Sequence, residues 1–336
     1  MYLKELTELS GVSGYEKRVR EFIKDKIKDR VSHIEEDVLG NLIARKEGKT
    51  DKRIMLCAHM DEVGFIVSNI EDDGKLCIMP LGGIDPKVVV GKRVTVGEKE
   101  IPGVIGYKAI HLQRGDVYTP PKMDEIRVDI GVTKKSDAEG KVRIGDFVAF
   151  SVESMVHGDW FSGKALDNRG GCSILIDIIN NNIELYYDTY FVFSVQEELG
   201  LRGAGISAEK INPDFSIVVE TTTSGDNPEF SSYRRSTELG KGPAITFAHS
   251  GYVIDERLFK WIIDTAKEHN IPYQIKRRTA GGTDARRIAT TLAGIPSAVI
   301  SIPARYIHSP MSVLNLEDYN NTLRLISILL TKEVQL

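Results

Sequence analysis

The chain has 336 residues, 41% hydrophobic and 27% charged, enough apolar content for one large domain with a smaller one or for two of ordinary size. A formal net charge of -4 leans away from nucleic-acid binding, which needs a basic face. No apolar run reaches the roughly 18 residues a membrane span needs, MYLKELTELSG lacks the core of a signal peptide, and Cys57, Cys77 and Cys172 lie too far apart for a thiolate metal site or a disulfide framework, so the chain reads as cytoplasmic.

Along the chain, Ser13-Gly-Tyr-Glu16 has the spacing of a capping box, and Val19, Phe22, Ile23 and Ile27 follow at helical intervals. IMLCA (54–58) is a continuous apolar run, as in a strand buried on both faces, and it ends at His59 and Asp61. From about Ser68 to Val156 short β-type runs such as KRVTV and FVAFSV alternate with Gly and Pro. This predicts an inserted all-β domain over 68–156, flanked by 1–67 and 157–336. Strands are then expected at 189–195, 215–219, 244–248 and 297–301, and helices near 168–180, 255–269, 283–293 and 315–332. Alternating β and α elements imply an α/β layered fold with a central sheet, in which ligands collect beyond the carboxyl ends of the strands. His59, Glu197, Glu198 and Glu220 fall at or near such ends, and His308 follows the last strand by a short loop.

Each of these residues has two readings. His59 suits a metal ligand, with Asp61 two positions on to accept its other ring N–H, or both belong to a surface turn. Asp167, ahead of the glycines that open a helix, could bridge two cations through its two oxygens or simply cap the helix. Glu197 and Glu198 would face opposite ways in a strand and can serve one cavity only if the chain turns, for which Gly200 and Gly203 provide. One acid could then ligate metal while the other acts as general base, or the pair is a solvated turn. Glu220 closes an apolar strand, where a charge is expensive unless paired or metal-bound. Together, two histidines and several carboxylates on one sheet edge form the donor set of a pair of zinc-like ions. His33, His111, His157, His249 and His269 read as structural or surface residues.

The blocks LSGVSGYE, AHMDEVGFIV, GKALDNRGGC, VQEELGLRGA, GGTDARRI and IHSP, in this order over nearly the whole chain, resemble the tetrahedral aminopeptidases, or glutamyl aminopeptidase family, of dizinc exopeptidases. The resemblance implies a three-layer sandwich with a mixed central sheet. It also implies two divalent ions per subunit, zinc first, with cobalt or manganese as alternatives. His59, Asp167 and Glu220 would hold one ion, and Asp167, Glu198 and His308 the other. Glu197 would be the general base, with Asp61 behind His59. Gly281, Gly282 and Thr283 would line the substrate pocket, and the Asp167–Asn168 peptide would be cis. Many members carry Asp where Glu220 stands, so reach at that position differs here. Short peptides would be the substrates, with Glu197 taking a proton from the attacking water and returning it to the leaving amine. The β insertion would mediate dimer contacts within a tetrahedral dodecamer. Arg202, Arg286 and Arg305 would favour acidic side chains, an aliphatic pocket being the other reading. Competing functions are a metal-dependent deacylase or carboxypeptidase on the same core, a glycoside hydrolase using paired acids, and a peptide-binding scaffold with a degenerate site.

Overall fold

The structure, a computed structural model, describes residues 1–113, 120–226, 235–278 and 281–334. Two short helices, α1 (Leu3–Glu8) and α2 (Lys17–Ile27), precede β1 (His33–Glu36), β2 (Leu42–Lys46) and β3 (Thr50–His59). The chain then winds into a closed antiparallel barrel of β4 (Gly64–Ile70), β5 (Leu76–Leu81), β6 (Arg93–Val96), β7 (Ile101–Gly106), β8 (Arg127–Asp129) and β9 (Phe147–Phe150), with α3 (Lys135–Glu139) between the last two. It returns through β10 (Met155–His157) and β11 (Trp160–Gly163) to α4 (Leu166–Asn180), β12 (Tyr187–Ser194), α5 (Gly203–Ile211) and β13 (Phe215–Thr223). Then come β14 (Ala244–Ile245), the hairpin β15 (Ala248–His249) and β16 (Tyr252–Val253), α6 (Glu256–Glu268), β17 (Gln274–Ile275) and α7 (Asp284–Ala289). The chain closes with β18 (Ser297–Arg305), β19 (Ser312–Asn315) and α8 (Leu316–Leu329).

The large sheet runs β1-β2-β12-β3-β13-β18-β19-β11-β10, with β14 and β17 beside β18. Its centre, β12-β3-β13-β18, is parallel and its flanks are antiparallel, so the sheet is mixed. The central strands are apolar without alternation because both faces are covered: Ile54 to Ala58 and Phe215 to Val219 are wholly buried. On one face α4 packs against β3 and β13, with α1, α2 and α8 around it; α5 and α7 cover the other face, completing three layers. The tight approach of α4 to β13 requires glycine at position 171, where a Cβ would fall 2.4 Å from the Val219 carbonyl oxygen. That contact seats the first turn of α4, and Asp167 with it, against the strand carrying Glu220. The barrel has its own core, including Phe65, Leu76, Val94, Val128, Val148 and Phe150. Among the described residues no helix is long and apolar enough to cross a membrane.

The barrel strands occupy Gly64 to Phe150 rather than 68–156. GFIV follows β3 after only the short polar link Met60–Val63, and Met155–His157 shares the β texture of the barrel although it pairs with β11 in the large sheet. The expected 244–248 strand is two short pieces, the 283–293 helix ends at Ala289, and α1 and α5 are additional. The capping box does not form. The side chain of Glu16 caps nothing at the start of α2, and Ser13 turns inward to donate to Asp61.

Candidate active site

Asp61 organises the site. Its carboxylate accepts the Ser13 hydroxyl at 2.5 Å and the backbone N–H groups of Glu197 and Glu198 at 3.0 and 3.1 Å. These bonds hold the chain in a turn just past β12, which Gln196, Gly200 and Leu201 complete with positive φ. Both glutamates can therefore serve one cavity. Glu16 supports the same turn, accepting from the Gly14 and Gln196 N–H groups at 2.7 and 3.1 Å; burial, and then the charge of Asp61, push its carboxyl up to about 7. Because two of its hydrogen bonds hold this turn and a third ties it to Ser13, Asp61→Ala is expected to lower kcat by about 10- to 100-fold. Substrate kinetics alongside the melting temperature would separate this from general unfolding.

His59 ends β3, fully enclosed, and its Nδ1 lies 3.1 Å from the Asp61 carbonyl oxygen and 3.4 Å from a carboxylate oxygen of Asp61. The main chain of Asp61, more than its side chain, thus orients the ring. His308 is placed in the same way by the barrel: its Nδ1 lies 3.0 Å from the Gly83 carbonyl oxygen. With each Nδ1 held at a carbonyl acceptor, each Nε2 is directed at carboxylates. His59 Nε2 is 3.4 Å from one oxygen of Asp167 and 3.7 Å from Glu220. His308 Nε2 is 3.4 Å from the other oxygen of Asp167 and 3.4 Å from Glu198. The Asp167–Asn168 peptide is cis. Glu220 lies within β13 rather than at its end, and its second oxygen is buried without a hydrogen-bond partner.

These distances are too long for good hydrogen bonds, and they leave gaps lined by oxygen and nitrogen. Three groupings, His59/Asp167/Glu220, Asp167/Glu198/His308 and His59/Glu197/Glu198, each bring their donor atoms within 4.8 Å of one another. Without positive charge the cluster is unfavourable. Burial pushes Glu197, Glu198 and Glu220 up, Glu198 to about 7, with neighbouring carboxylates adding to it. The facing Asp167 carboxylate raises His308 to about 9, and against burial the two facing imidazoles hold Asp167 well below the usual carboxylate range. A divalent cation at each of the first two groupings fits the donor chemistry: imidazole nitrogen with carboxylate oxygen, and Asp167 offering one oxygen to each.

The cluster lines one end of a cavity of about 1010 Å³, whose other walls include Leu201, Thr283, Lys276, Arg286 and Arg287. Gly281 and Gly282 line it as well, so all ten sequence-derived site residues meet at this cavity except Asp61, which lies behind it. Sequence reading missed Asp284 and Lys276. Asp284 is buried beneath the site, accepting the Ser194 hydroxyl at 2.6 Å, and burial pushes it up to about 6; the GGTD string was a signal for it. Arg305 pairs with Asp226 at 2.7 Å and is not among the cavity's lining residues.

Residues 40–325 match the family described as M42 glutamyl aminopeptidase. A lysyl aminopeptidase of Pyrococcus furiosus is 33% identical over 98% of this chain and 95% of its own length. A Thermotoga maritima structure described as an endoglucanase is 47% identical, covering 98% of this chain and 97% of that one, with a TM-score of 0.84. The Pyrococcus horikoshii TET1 peptidase, described as able to assemble into a tetrahedron or a large octahedral shell, is 32% identical with a TM-score of 0.88, covering 98% of each chain.

Proposed function

The chain belongs to the M42 glutamyl aminopeptidase family, and on that premise we propose that it removes N-terminal residues from short peptides at a centre for two divalent ions. The observation that carries this is the symmetric placement of Asp167, each of whose oxygens faces a histidine Nε2 at 3.4 Å while both Nδ1 atoms are tied to backbone carbonyls. His59, Asp167 and Glu220 would hold one ion, and Asp167, Glu198 and His308 the other. Zinc suits this nitrogen and carboxylate set first, with cobalt and manganese as alternatives. When bound, such a pair supplies Lewis acidity that lowers the pKa of a water towards neutrality and polarises the scissile carbonyl.

The chain's own groups do the rest. Glu197 belongs to neither of these two ligand sets, and Asp61 holds its backbone N–H in place, so its carboxylate is free to take the proton of the attacking water and return it to the leaving amine. Glu220, which lines the cavity, is the carboxylate placed to accept the substrate's α-ammonium. Gly281, Gly282 and Thr283 line the substrate-binding part of the cavity. Its volume suits a short extended peptide.

The barrel is the dimerisation domain in this reading, and the chain is a homo-oligomer built to a tetrahedral dodecamer. Exposed apolar side chains on or beside the barrel, Met79, Val88, Val104 and Ile144 among them, support an interface there.

The endoglucanase description of the Thermotoga structure does not transfer. Paired glycosidase acids stand across a sugar cleft about 5–9.5 Å apart, whereas here the acids close with two histidines into groups within 4.8 Å. The test is a panel of aminoacyl coumarin amides with N-acetylated controls, each with and without chelator. Hydrolysis of free-amine substrates alone, lost by at least about 100-fold on chelation and restored by zinc or cobalt, is expected. Preference for N-acetylated substrates would point instead to a deacylase.

A further inference from the structure

The two ligand groupings around Asp167 differ in where they are anchored. In the first, His59 ends β3 and Glu220 lies in β13, and the Nδ1 of His59 meets the carbonyl of Asp61 two residues on, so every part belongs to the large sheet and its margin. The His59 side chain is only 2% exposed. In the second, His308 sits in the loop between β18 and β19, with a φ of 57° and a side chain 39% exposed. The acceptor for its Nδ1 comes from the barrel, from the carbonyl of Gly83 just past β5. The barrel is itself seated on the N-terminal segment, where Val12 packs with Phe147 and Ala149 of β9 and the Tyr15 hydroxyl donates to the Gly145 carbonyl at 2.6 Å.

The barrel also reaches the other side chain of that second grouping. A Cβ on Gly82 would lie 3.2 Å from Cβ of Glu198 and 3.4 Å from its Oε2, besides 2.8 Å from Val63, and a Cβ on Gly83 would lie 3.3 Å from Nδ1 of His308. Two successive barrel residues thus rest against both side chains that join Asp167 in the second grouping. Glycine is required at position 82 by its φ of 87° as well as by these contacts, but at position 83 by the contact alone. Among the described residues no hydrogen bond joins the barrel to the side chain of His59 or of Glu220. A histidine on an irregular loop keeps its ligand orientation only where its other nitrogen is tied and its ring is walled in. We propose that Gly82 and Gly83 are positioning residues for the second ion, so that the barrel completes that ion's site while the first ion's site forms without it. This rests on the two-ion reading and gives the barrel a task apart from subunit contact.

The test is a zinc titration of the stripped full chain against a competing chelator dye, which reads bound metal without reference to turnover. Gly83→Ala needs no unusual backbone conformation, and its methyl group must push the His308 ring by a few tenths of an ångström. One of the two ions should bind about 10- to 100-fold more weakly in this variant, with the other unchanged. Gly82→Ala, which adds backbone strain, should act in the same direction and more strongly. In a His308→Ala background, where only the first ion binds tightly, adding Gly83→Ala should change nothing. Gly74→Ala is the control for general damage to the barrel. It strains a φ of 82° and meets Val132, at the opposite end of the β4–β5 hairpin from Gly82, and both ions should bind to it as to the wild type. Unchanged binding of both ions in Gly83→Ala and Gly82→Ala, equal weakening of both, or the same loss in Gly74→Ala would overturn the proposal and leave the two-ion centre standing. A wild-type chain that saturates at one ion would overturn the two-ion reading with it.

Discussion

Glu197→Gln is expected to lower kcat by about 10²- to 10⁴-fold while leaving metal content unchanged. The amide keeps the shape of the side chain but cannot hold a proton in transit. The turn that carries it is fixed by the backbone N–H groups of residues 197 and 198 on Asp61, which the substitution leaves intact. Its neighbour offers the contrast. Glu198 faces His308 at 3.4 Å in one of the two ligand groupings, so Glu198→Gln should lose metal as well as rate. Measuring bound metal and kcat on both variants separates a base from a ligand. A Glu197→Gln enzyme that turns over normally would remove the residue from the mechanism.

The second large effect is on stability. Lys164 is buried and reaches both oxygens of Glu62, at 2.6 and 2.7 Å, and the Leu9 carbonyl at 2.7 Å. Arg169, also buried, donates to the carbonyls of Met60, Leu6, Leu9 and Gly11. Together they pin the N-terminal segment under the Asp61 turn and the start of α4. Burial lowers Lys164 to about 8, a sign that its charge is held there at a cost. Lys164→Met would leave Glu62 buried with its nearest cation gone, and a loss of about 3–5 kcal/mol is expected, read as a fall in the urea midpoint. Adding Glu62→Leu should recover more than half of it, because an apolar pair avoids the stranded charge. If the double variant is no better than the single one, the penalty lies in packing instead.

The strands of the central sheet were legible because they are buried on both faces and so read as unbroken apolar runs, with His59 at the end of one. The acids at positions 197 and 198 were legible as a pair, and the need for a turn followed from strand geometry. What held that turn was not legible. Ser13 and Glu16 have the spacing of a helix cap, yet both point at the Asp61 turn, a contact between segments that are far apart in sequence. The same limit hid Gly83, which orients His308 from the barrel through a main-chain carbonyl that carries no side-chain signal. Glu220 was located as a costly charge on an apolar strand, but β13 continues to Thr223, so the apolar run marked the residue and misplaced the strand end. Lys276 could not be singled out, since one lysine in a basic stretch, Lys276-Arg-Arg278, gives no hint of which side chain turns inward.

The paired ligand set around Asp167 is tested most directly by metal stoichiometry. The protein would be stripped by chelation, dialysed and titrated with zinc, with bound metal and hydrolysis of an aminoacyl coumarin followed together. Saturation at two ions per chain is predicted, with activity complete only when both are bound and with Asp167→Asn binding neither tightly. Saturation at a single ion, or full hydrolysis by the stripped protein, would contradict the dinuclear centre.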